Sequence, residues 1–227
     1  MTWPDEDAGG DPLPLFHDRQ EAGRELATHL RRHQGTAPVV LGIPRGGVVV
    51  AAEVAHALNG ELDVVVARKL GAPGAPELAI GAVTADGGRY LNAEMVNALA
   101  VPQSYIERVS QVEMSEAQRR EARLRRGRTA VPLRGRTVIV VDDGLATGAT
   151  VQAAVTALRH HRPGRIVVAA PVGAREACAA LRSHADEVVC PHVPDPFGAI
   201  GFFYERFEGV DDAEVERLLQ DAGAVGQ

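Results

Sequence analysis

Two adjacent carboxylates, Asp142 and Asp143, close the apolar run Thr137–Val141 and open the stretch Asp-Asp-Gly-Leu-Ala-Thr-Gly-Ala-Thr. A buried strand of that kind delivers its last residues to the ligand edge of a sheet. The loop that follows holds Gly144 and Gly148 and runs straight into a helical pattern. Helix N-termini leave amide N–H groups unpaired and carry partial positive charge, and glycines let such a backbone approach a phosphate closely. Ala146, Thr147, Gly148, Ala149 and Thr150 make up that cradle, the two threonines adding hydroxyl donors. No Gly-Lys-Ser/Thr is present, which excludes a Walker loop, and no G-x-G-x-x-G, which excludes the dinucleotide fingerprint. A phosphate cradle beside paired acids suits a sugar phosphate with free hydroxyls.

Two other segments have the residue types of an anion site. In Pro44-Arg45-Gly46-Gly47, a proline and two glycines shape the backbone and Arg45 supplies charge. Arg68 and Lys69 follow the apolar run Leu62–Ala67, and Lys69 is the only lysine among 24 basic residues. The next stretch, Gly71–Pro76, is too rich in Gly and Pro for regular structure, so residues 70–78 read as a loop able to close as a lid. His29 and His33 lie one helical turn apart without a third ligand nearby and read as solvated.

The elements that must position these groups alternate. Phe16–Arg32 has amphipathic helical spacing, Pro38–Ile43 is a strand, and Val48–Leu58 is a helix stopped by Asn59-Gly60. Leu62–Ala67 and Ile80–Thr84 read as strands, Gln103–Arg126 as a long charged helix. Thr137–Val141, Gly148–His161, Ile166–Ala170, Arg175–Ser183 and Glu187–Cys190 continue the β-α-β-α rhythm. The expected fold is α/β, a mostly parallel sheet flanked by helices, with a small C-terminal hood. Residues 1–15 read as a flexible segment, 16–190 as the core, and 191–227 as a hood or flap with a terminal helix.

Composition bounds the function classes. The chain has 227 residues, is 45% hydrophobic and 24% charged, and carries a net charge of −6, which excludes a disordered chain or a general nucleic-acid coat. The first residues have neither a basic nor an apolar signal region, no apolar run approaches a membrane span, and Cys178 and Cys190 fit no metal or disulfide framework. A cytoplasmic, reduced protein is expected. Nine arginines stand between Arg108 and Arg136, but interleaved Glu at helical spacing and a lone nearby Tyr105 point to a solvated or subunit-facing helix.

The stretch Val138–Thr150 closely resembles the 5-phosphoribosyl 1-pyrophosphate (PRPP) motif of the type I phosphoribosyltransferases. Ile43–Gly47 resembles the pyrophosphate loop of that family, often with a non-proline cis peptide. Arg68-Lys69 resembles the base of its mobile catalytic loop, although the second lysine often found there is absent. Arg-Lys-Leu-Gly-Ala-Pro-Gly and Phe-x-Ala-x-Gly-x-x-Tyr narrow the likeness to bacterial members whose substrate is generally unassigned.

The resemblance implies PRPP bound as its Mg²⁺ complex, with Asp142 and Asp143 on the ribose hydroxyls and any protein contact to the metal through them. It places the 5′-phosphate on Ala146–Thr150 and the pyrophosphate on Pro44–Gly47, Arg68 and Lys69. It makes Asp142, Asp143, Arg45 and Lys69 the catalytic set. Ala146 stands where enzymes of 6-oxopurines place an acid, so an adenine-type or related acceptor fits better. Phe197, Phe202, Phe203 and Tyr204 are the candidates for gripping the acceptor. Beside transfer to a nitrogenous base or other small nucleophile stands a second reading, a non-catalytic PRPP-binding regulator that binds RNA through the arginine-rich helix. Nucleic acid is not the expected partner; a small acceptor and a second copy of the chain are.

Overall fold

The computed structural model describes residues 14–224. Along the chain run α1 (Arg19–His29), β1 (Val39–Gly42), α2 (Gly46–Leu58), β2 (Glu61–Val64), β3 (Ala67–Ala72), β4 (Ala75–Thr84), β5 (Arg89–Leu91) and α3 (Ala93–Ala98). There follow α4 (Gln103–Arg125), β6 (Thr137–Val141), α5 (Ala149–His160), β7 (Arg165–Ala169), α6 (Arg175–Leu181), β8 (Glu187–Val189) and α7 (Asp212–Ala224).

Strands β2, β1, β6, β7 and β8, in that order, pair in parallel. Successive side chains of a strand point to opposite faces. Ile139 and Val141 of β6 therefore join Leu26, Val54 and Leu219 of α1, α2 and α7 in one core. Val138 and Val140 join Val155, Leu158 and Leu181 of α5 and α6 in the other. With both faces covered, the strands are apolar throughout rather than alternating, the pattern that made them legible. This is the α/β class expected, a mostly parallel sheet flanked by helices. Between β1 and β6 the order reverses, β1 leading outward to β2 and β6 to β7. Such a switch point opens a crevice at the carboxyl ends of the strands.

The segment from Leu62 to Pro76 departs from expectation. Leu62–Ala67 is not one strand: β2 ends at Val64, and β3 begins a separate antiparallel sheet of order β3-β4-β5. The stretch 71–76, expected to be irregular and part of a lid over 70–78, is the tip of the β3–β4 hairpin. A hairpin needs only its turn to be special, and Pro73-Gly74 supplies that, Gly74 standing at φ +73°. The flanking residues have apolar partners to keep them paired: Leu70, Ala72 and Ile80 bury against Ile106 of α4. Tyr105 Oη also donates to the Gly71 carbonyl at 3.1 Å, tying the tip to α4.

The hood is built from both ends of the chain. Leu15 and Phe16 donate their N–H groups to the Phe203 carbonyl, and Glu205 and Arg206 donate back to the carbonyls of Phe16 and His17. Most of the segment 1–15 expected to be flexible lies outside the described residues. Among the described residues no helix is long and apolar enough to cross a membrane. Cys178 and Cys190 are free.

Candidate active site

At the switch point the loop after β1 meets the acids after β6. Ile43 N–H donates to the Val141 carbonyl at 2.9 Å, extending the pairing of β1 with β6 beyond the strands. The Pro44–Arg45 peptide is cis, and Arg45 is the N-cap of α2. Gly46 and Gly47 then press the start of α2 onto the acids. A Cβ on Gly46 would lie 1.9 Å from Asp143 Oδ2, and one on Gly47 would lie 2.8 Å from Asp142 Cα. Side chains at either position would push the two segments apart, so the glycines are needed for close approach.

The two carboxylates sit in different surroundings. Asp143 accepts from Arg19 Nε at 2.8 Å, with both side chains largely buried. Asp142 has no cation of its own; its Oδ1 accepts the Asp143 N–H at 2.9 Å. Burial, followed by the negative charge of Asp143, pushes the Asp142 carboxyl well above the usual range. The pair thus divides into one ion-paired carboxylate and one that holds its proton more tightly.

Arg19 was not singled out by the sequence. It lies at the start of α1, where an arginine reads as ordinary helix surface. Its guanidinium is 3.8 Å from the centroid of the Phe207 ring, and its Nη1 donates to the Glu208 carbonyl at 2.8 Å. Phe207, equally unremarked, stacks on Tyr204 at 5.0 Å.

Tyr204 corrects an expectation. It was a candidate platform for the acceptor, yet the ring is buried, with Phe16 against it at 5.4 Å as well as Phe207. Its Oη donates to the Asp143 carbonyl at 2.6 Å, so the hood fixes the backbone of the acidic pair. Burial and the nearby Asp143 hold the phenol well above its ordinary pKa, and it stays a donor. Phe203 is buried and packs on the half-buried Phe197 at 5.3 Å, while Phe202 is exposed.

The loop after β6 runs directly into α5. Leu145 is held by Val172 and Ala174 backbone bonds of 3.0 and 2.7 Å, leaving Ala146 and Thr147 exposed. Gly148 caps α5 with no side-chain bond, and the Ala149 N–H reaches only Thr147 Oγ1 at 3.4 Å. The first amides of α5, including Thr150, thus have little competition from side chains of their own loop.

Arg68 and Lys69, read together as one anion contact, part company in β3 because neighbouring strand residues face opposite sides. Arg68 turns to α4 and pairs with Glu113 at 2.5 Å. Lys69 lies on the face that packs on α5, exposed, its Nζ donating to the Glu77 carbonyl at 3.0 Å.

Among the described residues no three His, Cys, Asp or Glu side chains converge to hold a metal. Asp142 and Asp143 alone offer one or two oxygens, a donor set that fits Mg²⁺ arriving on substrate phosphates with water completing its shell.

The structure thus brings the glycine loop after β1, the acidic pair after β6 and the start of α5 to one switch point. The model of the phosphoribosyl transferase domain matches residues 16–205, and the chain belongs to that family. A candidate phosphoribosyl transferase found in two strains of Mycobacterium tuberculosis is 46% identical over 210 residues, covering 92% of this chain and 47% of the relative. The chain spans about half the length of the curated relatives it matches. The crystal structure of TT1426 from Thermus thermophilus superposes with a TM-score of 0.80 at 46% identity, covering 91% of this chain and 98% of that one.

Proposed function

We propose that the protein transfers the 5-phosphoribosyl group of PRPP to a nitrogenous base or other small nucleophile, releasing pyrophosphate with Mg²⁺. The observation that carries this reading is the contact of Gly46 with Asp143, which joins the pyrophosphate-type loop to the acidic pair at one switch point.

The chemistry follows from the placement of charge. The bond from C1′ to the pyrophosphate oxygen breaks, and its electron pair leaves with the pyrophosphate. Positive charge grows on the ribose ring, over which Asp142 and Asp143 stand to hold the hydroxyls. The acceptor nitrogen then supplies the pair for the new bond to C1′ with inversion, and its proton passes to solvent. Negative charge growing on the leaving group faces Arg45, Arg68 and the loop amides; preorganised donors of this kind are worth about 3–4 kcal/mol each in other enzymes. When bound, Mg²⁺ supplies further charge neutralisation on the diphosphate. The 5′-phosphate sits on Ala146–Thr150, and the exposed Phe202 is a ring open to an acceptor.

The test is pyrophosphate release from PRPP and Mg²⁺ across a panel of purines, pyrimidines and small amines. Acceptor-dependent release is expected. PRPP raising the melting temperature with no release for any acceptor would instead favour a non-catalytic PRPP sensor.

A further inference from the structure

Helix α4 carries a cation, Arg120, that neither the family motifs nor the local sequence marks. Its side facing β3 carries Glu113, the partner of Arg68, and two turns further on Arg120. Arg120 is half-buried and lies within electrostatic reach of Arg45, Arg68 and Arg123. These four guanidinium groups come from the start of α2, from β3 and from α4.

Their counter-charges fall short. Arg68 has Glu113, while Arg120 and Arg123 share the single carboxylate of Asp212, at the start of α7, Arg120 at 3.3 Å. Arg45 is exposed and makes no ion pair among the described residues. Four positive groups thus stand against two carboxylates, beside the loop that would meet the leaving group. Gathering like charges without an anion works against folding, and such concentrations mark binding sites. Burial and the neighbouring arginines accordingly lower the Arg120 pKa from its ordinary value.

We infer that Arg120 is a diphosphate-binding residue: with Arg45 and Arg68 it completes a triad that grips the pyrophosphate end of PRPP and the leaving pyrophosphate. This rests on the phosphoribosyltransferase reading. A planar guanidinium suits the role, because it holds phosphate oxygens in pairs and stays charged when partly buried. Asp212 holds it in place, at 3.3 Å, without cancelling the cluster.

The test is calorimetric binding of two probes, inorganic pyrophosphate with Mg²⁺ and ribose 5-phosphate. Arg120→Gln is expected to weaken pyrophosphate binding about tenfold or more, as loss of a charge-assisted hydrogen bond does, and to leave ribose 5-phosphate within about twofold. Arg120→Lys should recover part of the loss. Asp212→Asn breaks the same ion pair but keeps the cation, and should bind pyrophosphate as well as wild type or better. Wild-type affinity for pyrophosphate in Arg120→Gln overturns the inference, as does equal weakening in Asp212→Asn, which would make the pair merely structural. Failure of the wild-type protein to bind either probe, or PRPP, overturns the underlying reading as well.

Discussion

On the proposed ribose side of the crevice the charges are either paired or suppressed. Asp143 has Arg19, Asp142 is enclosed and drawn toward its neutral form, and Tyr204, Phe207 and Phe16 lock the pair from the hood. On the proposed diphosphate side the arginines outnumber their carboxylates, and Arg45 is exposed. One side is a finished, packed wall, the other an open cationic surface that an anion would complete. The difference suits a reaction in which the sugar needs fixed orientation while the leaving group must enter and depart. It also separates the two sides experimentally: changes to the ribose wall disturb fold and chemistry together, and changes to the cationic side disturb binding.

The largest effect belongs to Asp143. Asp143→Asn removes the partner of Arg19 and the ribose carboxylate at once, so turnover should fall about 100-fold or more. The melting temperature should fall too, because a largely buried Arg19 is left without its counter-charge. Steady-state kinetics and a thermal melt check both parts; wild-type turnover would remove Asp143 from the ribose site.

Next comes Gly46→Ala. A methyl group 1.9 Å from Asp143 Oδ2 and 2.7 Å from Arg19 Nε forces the α2 start away from the acids. Overpacking of that kind costs about 1–3 kcal/mol, a fall of roughly 2–10 °C in a domain of this size. PRPP affinity should fall with it. Gly74→Ala is the internal comparison: it meets nothing within 4 Å and suffers only backbone strain at φ +73°, so its melt should shift less and its PRPP affinity not at all.

The same contrast governs what the sequence could reveal. Val138–Val141 announced a strand because both faces of the sheet are covered, and the acids, glycines and threonines behind it are consecutive. A site made of neighbours in sequence is legible. Arg19 and Phe207 reach the acids from α1 and the hood across long separations, and Arg120 meets Asp212 from α4; nothing in their local pattern differs from helix surface or loop. The hairpin tip at 71–76 was misread for another reason. Of its four Gly and Pro residues only Pro73 and Gly74 make the turn, while the apolar support that keeps its strands paired comes from α4, which lies beyond any local window. Tyr204 was found as an aromatic but not as a buried one, since exposure depends on Phe16 at the other end of the chain.

A smaller effect tests the asymmetry of the acids by pH. The Asp142 carboxyl is raised in the folded protein relative to the unfolded chain, so the native state holds a proton the unfolded state has released. Stability from this group is therefore full below the unfolded value and declines as pH rises toward the folded value. Asp142→Asn lacks that dependence. In EDTA, its melting temperature relative to wild type should rise from pH 4 toward neutrality, whereas Asp143→Asn should stay below wild type at neutral pH. A gap for Asp142→Asn that shrinks as pH rises would contradict the assignment of the proton.

The smallest effect is predicted for the sole lysine. Lys69 is exposed, and its ammonium already has the Glu77 carbonyl within its own hairpin. A single solvated charge of this kind contributes at most about 1 kcal/mol, and salt screens it. Lys69→Ala should raise KM for PRPP by about fivefold at most in dilute buffer, and by less as ionic strength increases. The loss in Arg120→Gln should persist in salt, because a half-buried guanidinium is screened less. If salt abolishes both losses alike, the half-buried arginine holds the anion no differently from the exposed lysine. If it abolishes the Lys69 effect alone, the diphosphate grip resides in the half-buried arginines.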